Sequence, residues 1–353
     1  MNRKEFLKKA SAASFLMSTS LPRGFASFRA LSDSATVNTV TGPIKAEQMQ
    51  TTLAHEHIMS TFGAPPQEPG QYDNKELFNE VIPNLKSIES LGCNTLVDCT
   101  AAYFGRNVSL LQEISRKTGL QIITNTGIYG AAGDKYVPEY AYQESAERLA
   151  DRWIEESKNG IQGTGIKPGF VKVGVDGGSL SDIDAKLVRA AAFTHLETGL
   201  LVQVHTSGNP LSAQQQRVIL KKEGVSPAAW VWVHAHNMKQ TKPLLEAADE
   251  GAWISLDGMG TAEPSNGEAM ASPVLFNHLQ KLKAFKERNM LSHVLLSHDG
   301  DSYPVNLEHK RPYDILFNSF IPLLKREGFS EEDIKQLTVY NPAQAFAKKI
   351  LTI

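Results

Sequence analysis

Eight short apolar runs recur along the chain, at residues 51–54, 95–99, 121–124, 170–173, 200–204, 230–233, 252–256 and 294–297. Most are β-branched or aromatic and most do not alternate with polar residues, the pattern of strands covered on both faces. Between them lie polar stretches with apolar residues at helical spacing. The stretch 76–91 places Leu77, Val81, Leu85 and Ile88 on one stripe, and 142–156, 183–197, 214–223, 239–248, 273–287 and 313–326 read the same way. Gly92, Gly119 and Gly199 stand just before a strand, where a helix C-cap glycine is expected.

Strand and helix thus alternate eight times with a period of roughly 35 residues, which predicts a single α/β domain folded as a (β/α)8, or TIM, barrel. A doubly wound open sheet is the rival. It would favour a glycine-rich phosphate loop after the first strand, whereas His55-Glu56-His57 follows here. No linker divides the chain. The Pro/Gly-rich stretch 62–70 reads as the first loop over the active face, and 258–268 as a mobile loop after the seventh strand.

Composition narrows the picture. With 41% hydrophobic and 21% charged residues the chain reads as a water-soluble globular protein. A formal charge of -2 argues against a general nucleic-acid or membrane-surface binder. Cys93 and Cys99 flank a turn running into a strand, which holds their sulfurs apart and predicts no disulfide. Residues 1–9 are basic, 10–17 small and apolar, and Gly24-Phe25-Ala26 could precede a cleavage site. That is the order of an export signal, with a twin-arginine-like Arg3-Lys4-x-Phe6-Leu7-Lys8 run. Residues 1–30 are therefore expected to be a cleaved signal to the periplasm, and 36–353 the barrel domain; a disordered tail on a cytoplasmic protein is the alternative. No other stretch approaches the ~20 apolar residues of a membrane span.

Candidate chemistry collects at the C-terminal strand ends, which converge on one mouth in a barrel. His55 and His57 alternate along an extended segment and so share a face, where a divalent cation would relieve two adjacent imidazoles. Lys172 lies among Phe170, Val171 and Val173, where burial lowers an amine's pKa. It either snorkels to a carboxylate or captures CO2 as a carbamate able to bridge two metals. His205, the pair His234 and His236, and Asp299 end the fifth, sixth and eighth strands. Each alone would be structural; together they make a donor set. Histidine and carboxylate without cysteine suit zinc, manganese, iron or cobalt.

With these residues in place the chain resembles the phosphotriesterase family of the amidohydrolase superfamily. The matching motifs are Leu53-Ala54-His55-Glu56-His57, Leu96-Val97-Asp98-Cys99-Thr100 with Gly105-Arg106-Asn107, Thr126-Gly127-Ile128-Tyr129, Phe170-Val171-Lys172-Val173, Val204-His205-Thr206, His234 and Ser297-His298-Asp299, in family order. The resemblance implies two divalent metals, zinc first. His55, His57 and Asp299 would hold one, His205 and His234 the other, with N-carboxylated Lys172 and a hydroxide bridging them. Asp299 would then be both ligand and general base. Two departures stand out. His236 occupies the position of an acidic proton relay, where it can relay or act as a spacer. Gly258 follows Asp257, where lactonase members carry arginine. Tyr129 is retained at a substrate-side position, with a packed barrel-top aromatic as its other reading.

The expected activity is hydrolysis of a small-molecule lactone or carboxylic ester, with phosphotriester cleavage as a side reaction. A dedicated organophosphate triesterase and a non-catalytic metal-binding barrel are the alternatives. Barrels of the family often pair, so a homodimer is expected by analogy.

Overall fold

A computed structural model describes residues 35–262, 272–304 and 310–349. The proposed export signal and most of the loop 258–268 lie outside the described residues. Strand β1 (Thr36–Thr39) and β2 (Gly42–Lys45) form an antiparallel hairpin ahead of the barrel. The barrel strands are β3 (Thr52–Ser60), β4 (Thr95–Asp98), β5 (Gln121–Ile123) with its continuation β6 (Asn125–Thr126), β7 (Phe170–Gly174), β8 (Leu201–His205), β9 (Trp230–Val233), β10 (Trp253–Leu256) and β11 (Val294–Leu296). β12 (Asp301–Pro304) pairs parallel with β3, Asp301 opposite His57. Two parallel sheets, β12-β3-β4-β5 and β11-β10-β9-β8-β7-β6, account for all of these. They join through the continuous β5–β6 chain on one side. On the other, the Asp299 amide donates to the His55 carbonyl at 3.1 Å and the His57 amide to the Gly300 carbonyl at 2.8 Å. The ring is the (β/α)8 barrel that the pattern predicts.

The continuous apolar runs follow from two buried faces. Val97, Phe170, Leu201, Val231 and Leu295 point inward, where they pack with Val37, Met49 and Phe346. Their neighbours Leu96, Val171, Val202, Trp232 and Leu296 point outward into the helix layer with Leu77, Leu111, Leu187 and Phe285. Helices start on side-chain caps: Asp73, Asn107, Ser181, Asn209 and Ser272 each accept from the amide of the third helical residue.

Several elements differ from the sequence expectation. The helix Val108–Thr118 has no counterpart in the predicted set, being short and set close between two strands. The predicted helix 142–156 is a short turn Glu139–Gln143 followed by Ala146–Asn159. β3 runs well past residue 54, and its pairing with β4 shifts register between Leu53 and Glu56. That shift puts Ala54 in the inner cluster while His57 still lines the mouth and His55 Nε2 lies 3.4 Å from Asp299 Oδ1. Cys93 and Cys99 are both buried and free, as expected. No helix among the described residues is long and apolar enough to cross a membrane.

Candidate metal centre

Inward parity carries chemistry up each strand. Phe170 points inward, so Lys172 does too; Leu201 and Gln203 lead to His205; Trp253 and Ser255 lead to Asp257. His234 leaves that parity through left-handed backbone at φ 57°, since Val231 and Val233 are the inward residues of its strand; Asp299 keeps the parity of Leu295 but is also left-handed, at φ 52°. Such a conformation is costly for a side-chain-bearing residue and marks a place where surrounding bonds over-determine the chain. For Asp299 those bonds come from Glu56, the middle residue of His-Glu-His. Its carboxylate accepts from Ser297 Oγ at 2.6 Å, from the His298 amide at 3.0 Å and ring Nδ1 at 2.8 Å, and from the Gly300 amide at 2.6 Å. Glu56 therefore clamps the eighth strand end onto the first.

The six expected donors come together. His57 Nε2 and His55 Nε2 lie 3.3 and 3.4 Å from Asp299 Oδ1, and Lys172 Nζ lies 3.4 Å from His55 Nε2. The His205 and His234 ring centres are 4.4 Å apart, and those of His55 and His234 4.9 Å. All but Asp299, which is partly exposed, and the rim of His205 are buried.

Protonation follows from the partners. Thr100 Oγ donates its one hydrogen to the Met59 carbonyl at 3.0 Å, so it accepts from His57 Nδ1 at 2.9 Å. The Nε2 lone pair of neutral His57 is then turned toward a carboxylate oxygen. His234 Nδ1 likewise donates to Asp257 Oδ1 at 2.9 Å, which frees its Nε2. Burial, with Lys172 nearby, takes His55 down to about 3 and lowers His57, while burial and His234 hold His205 well below its usual value. Burial also lowers the Lys172 amine, the condition for carbamate formation. Burial opposes ionisation of Asp299, but His234, His55, His57 and Arg311 outweigh it and keep the carboxylate charged. Neutral imidazoles whose Nε2 atoms, those of His55 and His57, lie beside an ionised carboxylate fit a cation.

Two overlapping groups have donor atoms close enough to hold a metal: His55, His57 and Asp299, and His55, His234 and Asp257. The second is saturated. Asp257 Oδ1 accepts from His234 and from His236 Nδ1 at 3.1 Å, and Oδ2 from Ser255 Oγ at 2.7 Å and the His234 amide at 3.2 Å. Asp257 orients His234 and His236 and has no lone pair to spare for a metal.

A model of the phosphotriesterase family matches residues 35–346. The chain belongs to the phosphotriesterase family. Relatives in it include an aryldialkylphosphatase of Saccharolobus solfataricus, 28% identical over 86% of this chain and 97% of that one. A phosphotriesterase homology protein of Escherichia coli is 27% identical over 84% and 97%. An N-acetyltaurine hydrolase of Mus musculus is 25% identical over 88% and 97%. A mutant of a phosphotriesterase-like lactonase from Deinococcus radiodurans superposes with a TM-score of 0.78 at 27% identity, covering 88% of this chain and all of that one. Membership makes this chain a metal-dependent hydrolase with a (β/α)8 barrel.

The donor cluster opens into a pocket of about 240 Å³ lined by His57, Phe62, Phe104, Tyr129, Lys172, His205, His234, Asp299, Asp301 and Arg311. Tyr129 stacks on Phe104 and its hydroxyl is 3.3 Å from His205 Nδ1. Gly174 makes its place, since a Cβ there would lie 2.6 Å from the Tyr129 ring. His236 does not line the pocket. It stacks on His278 behind Asp257, and a Cβ on Gly258 would lie 2.2 Å from its Nε2. The two departures from the family pattern are thus one feature: His236 fills the space that a side chain at 258 would use. Sequence reasoning missed Glu56, Thr100 and Arg311. The first two stand within the matching motifs at strand ends, where no role was read for them, and could have been found by that rule; Arg311 lies in a loop without periodicity.

Proposed function

We propose that this chain hydrolyses a lactone or other carboxylic ester and cleaves phosphotriesters as a side activity. The observation that carries the reading is that His57, Lys172, His205, His234 and Asp299 line one pocket, with His55 Nε2 3.4 Å from both Asp299 Oδ1 and Lys172 Nζ and the Nε2 atoms of His55 and His57 beside an ionised carboxylate. His55, His57 and Asp299 would hold one divalent ion, His205 and His234 the second, and carbamylated Lys172 would bridge them; zinc suits the donors best. When bound, the metals supply an activated water and a Lewis acid for the substrate C=O or P=O.

The chain's own groups do the rest. Asp299 stays ionised and can take the proton of the attacking water. Burial keeps the Tyr129 phenol protonated, so its hydroxyl is a donor at the rim. Asp257 holds His234 in the tautomer that leaves Nε2 free, and His236 braces Asp257 rather than relaying protons to the pocket. Phe62 and Phe104 give the substrate an apolar wall that excludes water.

A dedicated triesterase is the second reading. The aromatic wall favours it, but the Arg311 charge facing the pocket does not, since a phosphotriester is neutral. Metal analysis with a panel of lactones, carboxylic esters, amides and phosphotriesters tests both. Metal-replete protein inert on lactones and esters sinks the first reading; a triester turned over far faster than any ester installs the second. Lys172→Ala should lose metal and activity together, and a variant that keeps two ions and full turnover refutes the carbamate.

A further inference from the structure

We infer that Arg311 is the specificity residue of the pocket and that it selects substrates bearing an anionic group, a carboxylate or sulfonate, next to the scissile ester. The inference rests on the hydrolase reading above and deepens it.

Arg311 is built into place. Its backbone exchanges two hydrogen bonds with Asp301, N to O at 3.3 Å and O to N at 3.1 Å, so its Cα is fixed to the strand that pairs with β3. Its stem packs over Gly260, where a Cβ would lie 3.3 Å from the Arg311 Cβ and 2.7 Å from the His298 carbonyl. Nη1 donates to Asp299 Oδ2 at 2.5 Å. Asp299 Oδ1 meanwhile faces the two histidines. One guanidinium nitrogen is therefore committed to the metal-side carboxylate.

The rest of the guanidinium is not. An arginine carries five N–H donors in a planar fork. Among the described residues, Nε and Nη2 of Arg311 have no hydrogen-bond partner, and the side chain is 30% exposed on the pocket wall. Asp301, the other carboxyl on that wall, is turned to Ser60 Oγ at 2.5 Å. Phe62, Phe104 and Tyr129 also line the pocket and offer no charge. A fork anchored at one end and open at the other matches a planar or tetrahedral oxyanion and gives a neutral group no comparable return. The arginine absent after Asp257 would thus be supplied from the eighth-strand loop, where Arg311 lines the pocket.

The test compares para-acetoxybenzenesulfonate with para-acetoxybenzenesulfonamide, an anionic and a neutral ester with the same acyl group, on metal-replete wild type, Arg311→Lys and Arg311→Gln. Loss of support for Asp299 slows both esters and cancels in the ratio of their kcat/KM values, as does their intrinsic reactivity. The ratio of anionic to neutral should fall about ten-fold or more in Arg311→Gln, mostly through KM of the anion, and less in Arg311→Lys. A ratio unchanged in both variants, with both esters slowed alike, overturns the proposal. Wild type inert on both esters counts against the hydrolase reading alone. Titration with para-hydroxybenzenesulfonate by calorimetry then still decides: binding weakened in Arg311→Gln supports an anion subsite, and equal binding removes it.

Discussion

Gly258→Ala is a sharp probe of how this barrel rearranged its mouth. The backbone at Gly258 has φ −101° and ψ 13°, which alanine adopts readily, so the substitution carries no conformational penalty. The cost is contact. The new Cβ would stand 2.2 Å from His236 Nε2, 2.5 Å from Cδ2 and 2.6 Å from Cε1. His236 must swing away, and its place is tied by the 3.1 Å bond from Nδ1 to Asp257 and by stacking on His278 at 5.3 Å. A hydrogen bond to a charged group is worth about 1.5–3 kcal/mol. Overpacking a filled site costs about 1–3 kcal/mol, so Gly258→Ala should destabilise by about 2–3 kcal/mol. His236→Ala alone loses the same bond and should cost about 2 kcal/mol. In the double variant the methyl enters vacated space, so the combined loss should fall short of the sum by about 1.5–2 kcal/mol. Urea unfolding of the four metal-free proteins measures the cycle. Additivity within about 0.5 kcal/mol would refute the claim that positions 236 and 258 share one space.

Three further outcomes follow from the same geometry. Asp257→Asn keeps the shape but sets an amide against the donors of Ser255 and His234, so metal affinity by chelator competition should fall about 10–100-fold; unchanged affinity would mean that Asp257 does not orient His234. His278 is buried with Nε2 unpartnered, and burial, with His236 nearby, lowers it to about 3 from 6.5. Its folded form binds fewer protons than its unfolded form between those values, so stability is full above about pH 6.5 and is lost as pH falls toward 3. His278→Phe should flatten that part of the stability profile, and an unaltered slope from pH 7 to 4 would reject this assignment. Arg106 is buried and bonds Glu68, Glu156 and the Asn125 carbonyl, so Arg106→Ala should cost about 3–5 kcal/mol in urea unfolding, and a loss under about 1 kcal/mol would show that the network is dispensable.

Much of this was legible before any coordinates, for a physical reason. Strands buried on both faces must be apolar along their length, so the eight runs announce themselves, and polar residues at their ends are conspicuous. Lys172 and His205 follow from inward parity alone. The rest depends on contacts between distant positions. The shift near Leu53 leaves no trace in the local pattern, yet it sets which residues of His-Glu-His face the mouth. Arg311 is one of many loop arginines until its pairing with Asp301 fixes it beside Asp299. His236 and Gly258 looked like two separate departures because nothing in a linear chain shows that one side chain occupies the other's space.

The two carboxylates of the site show how environment divides labour between like groups. Asp257 is fully enclosed, and each of its oxygens accepts two hydrogen bonds, so its charge is spent on holding His234 and His236. Asp299 is the more exposed, with one oxygen toward the histidines and the other toward Arg311. Both are held well below the usual carboxylate range against the cost of burial, but by different company: His234 and His55 for Asp257; His234, His55, His57 and Arg311 for Asp299. Only Asp299 borders the pocket. A saturated carboxylate can position but not react, and a rim carboxylate beside a fixed counter-charge can do both. Arg311 is that counter-charge. Its Nη1 holds Asp299 ionised and in place, while the rest of the fork stands on the pocket wall, so one guanidinium would both support the base and receive the substrate anion.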